Sequence, residues 1–207
     1  MLKVEKLDVT GFEAALRGMR NPYDSWDKAD TMFADTGVPL YVGPRDRDLI
    51  QRLVKGGSEH RKFLRMIHVQ ADITAPLYWL KQVDTYKVGV TADSCSTMHT
   101  IHKKEFVLAD FSVEHLTNEN AERFLDYLYV LNQAREEYLK TKSKDAWWQL
   151  IQMLPESYNQ TRTYDFNYEN ALTMIRQREG HKLDEWHVLN STLKALPMMN
   201  VILEALA

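Results

Sequence analysis

Pro76 constrains this chain more than any other single residue, because of the apolar run it introduces. A proline can begin an element but cannot continue one, and behind Ala75-Pro76 stand Leu77, Tyr78, Trp79, Leu80 and Val83, interrupted only by Lys81 and Gln82. So bulky and apolar a run does not stay in water, and it is predicted as a buried helix starting at the proline. Directly behind it the chemistry changes. Asp84, Thr85, Tyr86 and Lys87 supply a carboxylate, a hydroxyl, a phenol and an ammonium in consecutive positions. After Val88-Gly89-Val90 comes Thr91-Ala92-Asp93-Ser94-Cys95-Ser96-Thr97-Met98-His99. Short polar side chains of this kind bind their own backbone in loops or bind a ligand's oxygens. Residues 75–99 are therefore expected to run from a core helix into a polar loop that contributes to a site.

The rest of the chain must supply the core. With 207 residues, 44% hydrophobic and 11% aromatic, it is long enough for one substantial core and short for two. The expectation is a single α/β or α+β domain over 1–207. A formal net charge of −3 argues against a polymeric nucleic-acid partner, since such binders carry a surplus of Lys and Arg to neutralise phosphates. Small anionic ligands remain compatible with it. The one cysteine, Cys95, excludes a disulfide or a thiolate cluster within the chain and fits a reducing, cytoplasmic setting. No apolar run approaches membrane-spanning length, and the first residues alternate apolar with charged; a soluble protein without a membrane partner is expected.

Leu2, Val4, Leu7 and Val9 among charged neighbours predict a half-buried first strand, turned at Thr10 or Gly11. Residues 12–19 read as a short helix ending at Asn21-Pro22, because the residue before proline is pushed out of helical geometry. Residues 23–47, rich in Asp, Gly and Pro, read as an irregular excursion pinned by Trp26 and Phe33, with a turn of helix near Trp26. Leu49, Ile50, Leu53 and Val54 predict a helix stopped by Gly56-Gly57. The run from Phe63 to Val69 fits strand or helix. His102-Lys103-Lys104 reads as a solvated turn, residues 117–120 as a cap, 121–141 as an amphipathic helix and 145–153 as another. From Tyr168 to Leu196 a helical pattern puts Leu172, Ile175, Leu183, Trp186, Leu189 and Leu193 on a core face, with Arg178, His181 and Glu185 recurring on another.

Two ordered sets of residues resemble one family, the flavin-dependent thymidylate synthases. The first is Ala75-Pro76, the apolar run, Lys81 in place of Arg, and Gln82; where the family has an Arg-His-Arg triplet this chain has Thr85, Tyr86 and Lys87, and its Ser-x-Asn-Glu-x-Ser-x-Arg run is replaced from Val90 to Thr97. The second is Leu154-Pro155, Thr161-Arg162-Thr163, Asn167, Arg178, His181 and Glu185, with Glu169 standing where the family has a second basic residue. Glu59-His60 lies upstream, matching a Glu-His pair of the family. His60 reads equally as a surface histidine behind a helix capped by Ser58. Together the sets touch about half of the chain.

The resemblance implies one domain with helices on a mostly antiparallel sheet, a homotetramer with sites built between subunits, and FAD as cofactor. It implies a pyrimidine deoxynucleotide as substrate, with NADPH and methylenetetrahydrofolate where methylation of dUMP in dTMP biosynthesis is retained. Asn167 and His181 match positions of the family on the cofactor side, with His60 read as flavin-proximal; Tyr86 and Lys87, which replace the triplet, are assigned to the cofactor by their chemistry, a ring that can stack on a flavin and a weaker cation. Lys81, Gln82 and Arg178 match positions on the substrate side, Arg178 also serving catalysis by meeting the base, while Ser94, Ser96 and Thr97 are assigned to the substrate because their hydroxyls can hold phosphate oxygens in place of the lost cations. Losing the Arg-His-Arg cations removes several charge-assisted hydrogen bonds worth about 1.5–3 kcal/mol each. The alternative is therefore a catalytically inactive descendant that binds a nucleotide or a protein; an unrelated soluble α/β protein is a third reading. Cys95 with His99 could form a nucleophilic pair, though a lone cysteine is more often a small spectator. His99, His102 and His181 lack any recognised metal-ligand spacing.

Overall fold

A computed structural model describes residues 2–207. The architecture is mixed α/β, helices with an antiparallel sheet. The main sheet has four strands: β1 (Lys3–Thr10), β4 (His68–Pro76), β5 (Val90–Ser94) and β6 (Asn159–Asn167), in the order β1-β4-β6-β5. A separate antiparallel pair joins β2 (Met32–Phe33) and β3 (Pro39–Tyr41). Contacts divide the chain into two compact units. One contains Ile73–Thr85 and Asp93–Thr163; the other contains Val4–Asp72, Tyr86–Ala92 and Tyr164–Ala207.

In the second unit, β1 departs from simple alternation. Lys6 takes a left-handed conformation (φ 47°), Val9 is buried and Leu7 is 43% exposed. Leu2 and Val4 have the opposite sequence parity to Leu7 and Val9, so one regular strand could not bury all four. Gly11 then turns the chain at φ 93°, where a Cβ would stand 2.1 Å from the Met66 carbonyl oxygen. Helix α1 (Phe12–Arg20) comes next with Phe12, Ala15, Leu16 and Met19 buried, and Phe12 meets Tyr168 edge-on at 5.5 Å.

The excursion after Pro22 is held differently from the sequence expectation. The predicted turn at Trp26 exists as a 3-10 turn, Trp26–Lys28, but Trp26 is 51% exposed and so anchors no core. A buried ion pair holds the segment instead. Asp46, near the start of α2 (Pro44–Lys55), accepts from Arg20 Nε at 2.8 Å, from the Thr31 hydroxyl at 2.7 Å and from the amides of Asp30 and Thr31. Arg20 in turn donates to the carbonyls of Ser25 and Lys28. Burial alone would push the Asp46 carboxyl upward, but the hydrogen bonds from Thr31, Asp30 and Arg20 and the Arg20 charge outweigh it and hold it below the ordinary carboxylate range.

The expected long helix from Tyr168 to Leu196 is two helices, α7 (Tyr168–Arg178) and α8 (Asp184–Lys194). Gly180 lies in the break, where helix propensity is low. The Arg-His-Glu ladder therefore does not exist on one helix: Arg178 ends α7, His181 sits in the connection, and Glu185 is buried in the first turn of α8. After Pro197, α9 (Met199–Glu204) closes the chain.

In the first unit, the helix predicted behind Pro76 is α3 (Leu77–Val83), burying Trp79, Leu80 and Val83. Its first amides donate to the carbonyls of Tyr158 (Leu77, 3.0 Å) and Glu156 (Tyr78, 3.1 Å), so donors that a helix start leaves without partners are satisfied by the segment after Leu154-Pro155. The polar run after Gly89 is not a loop as expected. Its first part is β5, an edge strand, and its last part a short helix, α4 (Thr97–Thr100). Helix α5 (Asn118–Thr141) starts at Thr117, whose hydroxyl accepts the Asn120 amide, and α6 (Lys144–Gln152) starts at Ser143, which accepts from Ala146. Leu128, Leu131 and Leu150 pack with Ile101, Phe106 and Phe111.

Candidate functional site

The candidate residues that the structure brings together lie along α7. Asn167, the last residue of β6, caps this helix: its Oδ1 accepts the Asn170 amide at 3.0 Å, and the Asn170 Oδ1 accepts the Asn167 amide at 3.2 Å. The Asn170 side chain donates to the Val88 carbonyl at 2.9 Å. Gly89 takes φ 71°, and a Cβ there would stand 2.8 Å from the Asn167 side-chain nitrogen. Glycine is thus required both by the backbone and by the close approach.

At the other end of α7, the Tyr86 hydroxyl donates to Gln177 Oε1 and accepts from Arg178 Nε, both at 3.0 Å. The Arg178 guanidinium lies 4.9 Å from the centre of the buried Trp186 ring and 5.6 Å from that of Tyr86, and the two rings meet edge-on at 6.0 Å. A cation between two aromatic faces is held by their ring quadrupoles. The His181 ring stands 6.2 Å from Trp186, and its Nδ1 accepts the Leu183 amide at 3.1 Å. Burial, then the charges of Arg178 and His187, hold the imidazole below its ordinary pKa, so it is neutral near neutral pH. With Nδ1 accepting, the proton sits on Nε2, and His181 presents a donor there. Tyr86, Arg178, His181 and Trp186 therefore form a half-buried assembly of rings and donors. Lys87 beside it is exposed.

The remaining candidates lie elsewhere. His60 is exposed on the turn behind α2, with its ring near Gly56, and lines a cleft of about 370 Å3 with Tyr23, Glu59 and Phe63. In the other unit, Lys81 pairs with Glu156 and Gln82 is half-buried. Ser94 is exposed on β5, and Ser96 and Thr97 sit half-buried at the start of α4, where the Ser96 carbonyl accepts from Thr100. The Cys95 thiol is exposed, 3.5 Å from the Thr100 hydroxyl. Among the described residues no group of three or more His, Cys, Asp or Glu is placed to hold a metal, and no helix is long and apolar enough to cross a membrane.

Sequence reasoning missed three participants. Gln177 gave no signal. Trp186 reads only as core. Arg61 makes a two-pronged pair with Glu169 in the first turn of α7, its Nε and Nη2 at 2.8 Å from the two carboxylate oxygens. The signal was available: an acid at the position expected to be basic needs a partner, and Arg61 stands directly behind Glu59-His60.

The fold resembles that of solved flavin-dependent thymidylate synthases, the likeness running over the full length of the chain. Among the solved structures it matches are two of thymidylate synthase X (ThyX) from Helicobacter pylori with FAD and dUMP. One matches with a TM-score of 0.70 at 20% identity, covering 100% of this chain and 99% of that one. The other matches with a TM-score of 0.67 at 19% identity, covering 99% and 98%. Comparison with protein-family profiles and with curated proteins finds no match.

Proposed function

We propose that residues 1–207 form a single ThyX-like domain that binds FAD and a pyrimidine deoxynucleotide. The observation that carries this reading is the full-length likeness to a protein solved with FAD and dUMP. The assembly at the end of α7 supports it. The Tyr86 ring, the Arg178 guanidinium and the His181 Nε2 donor, backed by the buried Trp186, suit a planar, hydrogen-bonding ring system. Asn167 suits it less directly, since its Oδ1 is engaged by the Asn170 amide.

In this reading a flavin would be held by Tyr86, Lys87, Asn167 and His181, with His60 near it, and would supply the redox chemistry. Arg178 meets the nucleotide base, its guanidinium oriented beforehand by the Tyr86 hydroxyl and the Trp186 face. Gln82, Lys81, Ser94, Ser96 and Thr97 bind the nucleotide. The reaction served is methylation of dUMP or a related nucleotide, drawing on NADPH and methylenetetrahydrofolate, in a cytoplasmic homotetramer. A second reading, a catalytically inactive descendant binding a nucleotide or a protein, is favoured by one observation: Lys81, which stands for an arginine of the family motif, is already paired with Glu156.

Absorption spectroscopy separates the two. Purified protein incubated with FAD and desalted should keep flavin bands, and dUMP should raise its melting temperature. A colourless protein stabilised by dUMP would leave the second reading; one that takes up neither ligand would end the first and leave only the protein-binding form of the second.

A further inference from the structure

We propose that the end of the hairpin formed by α5 and α6 binds a small phosphate-bearing aromatic molecule of mononucleotide size. The site is a cleft of about 530 Å3 lined by His99, His102, Tyr138, Lys142, Lys144 and Trp147, within the range of small-molecule pockets. Its charge is one-sided. No carboxylate lines it, and among the described residues neither Lys142 nor Lys144 has a carboxylate partner. Asp145, the neighbour of Lys144, is exposed outside the lining. The positive field is felt inside: burial, then the charges of Lys142, Lys103 and Arg135, hold the His102 imidazole below its ordinary pKa.

The lining is also organised. The Lys142 ammonium stands 5.3 Å from the centre of the Tyr138 ring, and the His102 ring meets the same tyrosine at 5.0 Å. The Trp147 indole donates to the Met98 carbonyl at 3.3 Å. Two aromatic rings held in place beside two ammonium groups match a ligand that carries both a ring and a phosphate. None of these six residues belongs to the set assigned above to flavin or deoxynucleotide, so this site stands apart from that reading.

The test is calorimetric titration of the full chain with adenosine 5′-monophosphate. Saturable binding is expected for the unsubstituted protein and for Arg178→Ala. The double variant Lys142→Asn/Lys144→Gln should bind at least tenfold more weakly; asparagine is chosen because it tolerates the left-handed conformation at position 142. Trp147→Leu should weaken binding several-fold, and Lys144→Gln alone covers the case in which the double variant is unstable. Adenosine should bind at least tenfold more weakly than its monophosphate, and inorganic phosphate should compete. Three results would overturn the proposal: no saturable binding, equal affinity in the lysine variants, or loss of binding in Arg178→Ala alone.

Discussion

Arg178 has its guanidinium engaged by Tyr86 and Trp186, and in the proposed reading that orientation readies it for the nucleotide base. A side chain already fixed by the Tyr86 hydroxyl and the Trp186 face loses less conformational entropy on binding. Removing one charged donor costs about 1.5–3 kcal/mol, so Arg178→Ala should weaken dUMP binding tenfold or more in calorimetry; unchanged affinity would remove its role. The buried Asp46 carries a stability prediction. Its folded-state pKa is depressed, so its contribution is full above the unfolded-state value and is lost as pH falls through the folded one. Asp46→Asn leaves Arg20 buried without its counter-ion and should cost about 3–5 kcal/mol near neutral pH. In urea unfolding, the difference from the unsubstituted protein should shrink as pH drops through the carboxylate range. A constant difference would contradict this account.

At the scale of elements, the turns and helix starts are where the chain tolerates least. Gly11 sits at φ 93° with backbone in the way of a Cβ, whereas Gly180 has nothing within 4 Å of one. A left-handed alanine alone costs about 1–2 kcal/mol, and the Met66 carbonyl must also move. Gly11→Ala should therefore lower the urea midpoint clearly, while Gly180→Ala leaves it level or slightly raised; equal effects would refute the distinction. The Arg61–Glu169 pair ties the chain behind α2 to the first turn of α7. Arg61→Ala leaves a half-buried carboxylate without its partner, and the amides of α7 should then lose hydrogen-exchange protection before those of α5.

For the whole molecule, the likeness to ThyX structures runs over the full chain at 20% identity, while Thr85, Tyr86 and Lys87 stand where the sequence resemblance would put a cationic triplet. A fold survives such replacement because its core depends on buried apolar positions such as Trp79, Leu80 and Trp186, which are untouched by it. Ligand binding depends on few charged groups and does not share that tolerance. In the homotetrameric reading, light scattering should give four times the 24.2 kDa chain mass; a monomer that still binds flavin would show that its site is complete in one chain.

What the sequence determined by itself is local. The start of α3 at Pro76, the turn at Gly11, the Thr117 cap and the amphipathic pattern of α5 are each set by neighbours within a turn or two, where proline, glycine and hydroxyl side chains act directly on the backbone. Gly180 marks the break between α7 and α8, but the apolar periodicity continues across it, so the pattern alone reads as one helix. The tertiary structure alone decided the rest. The partner of Arg20 lies 26 residues away and that of Arg61 lies 108 away, and Thr91 to Ser94 became an edge strand because β6 was there to pair with it. No periodicity encodes such partners. Pairing across the chain depends on which surfaces the folded core brings within hydrogen-bond reach, and that is how Tyr86 came to lie against Arg178.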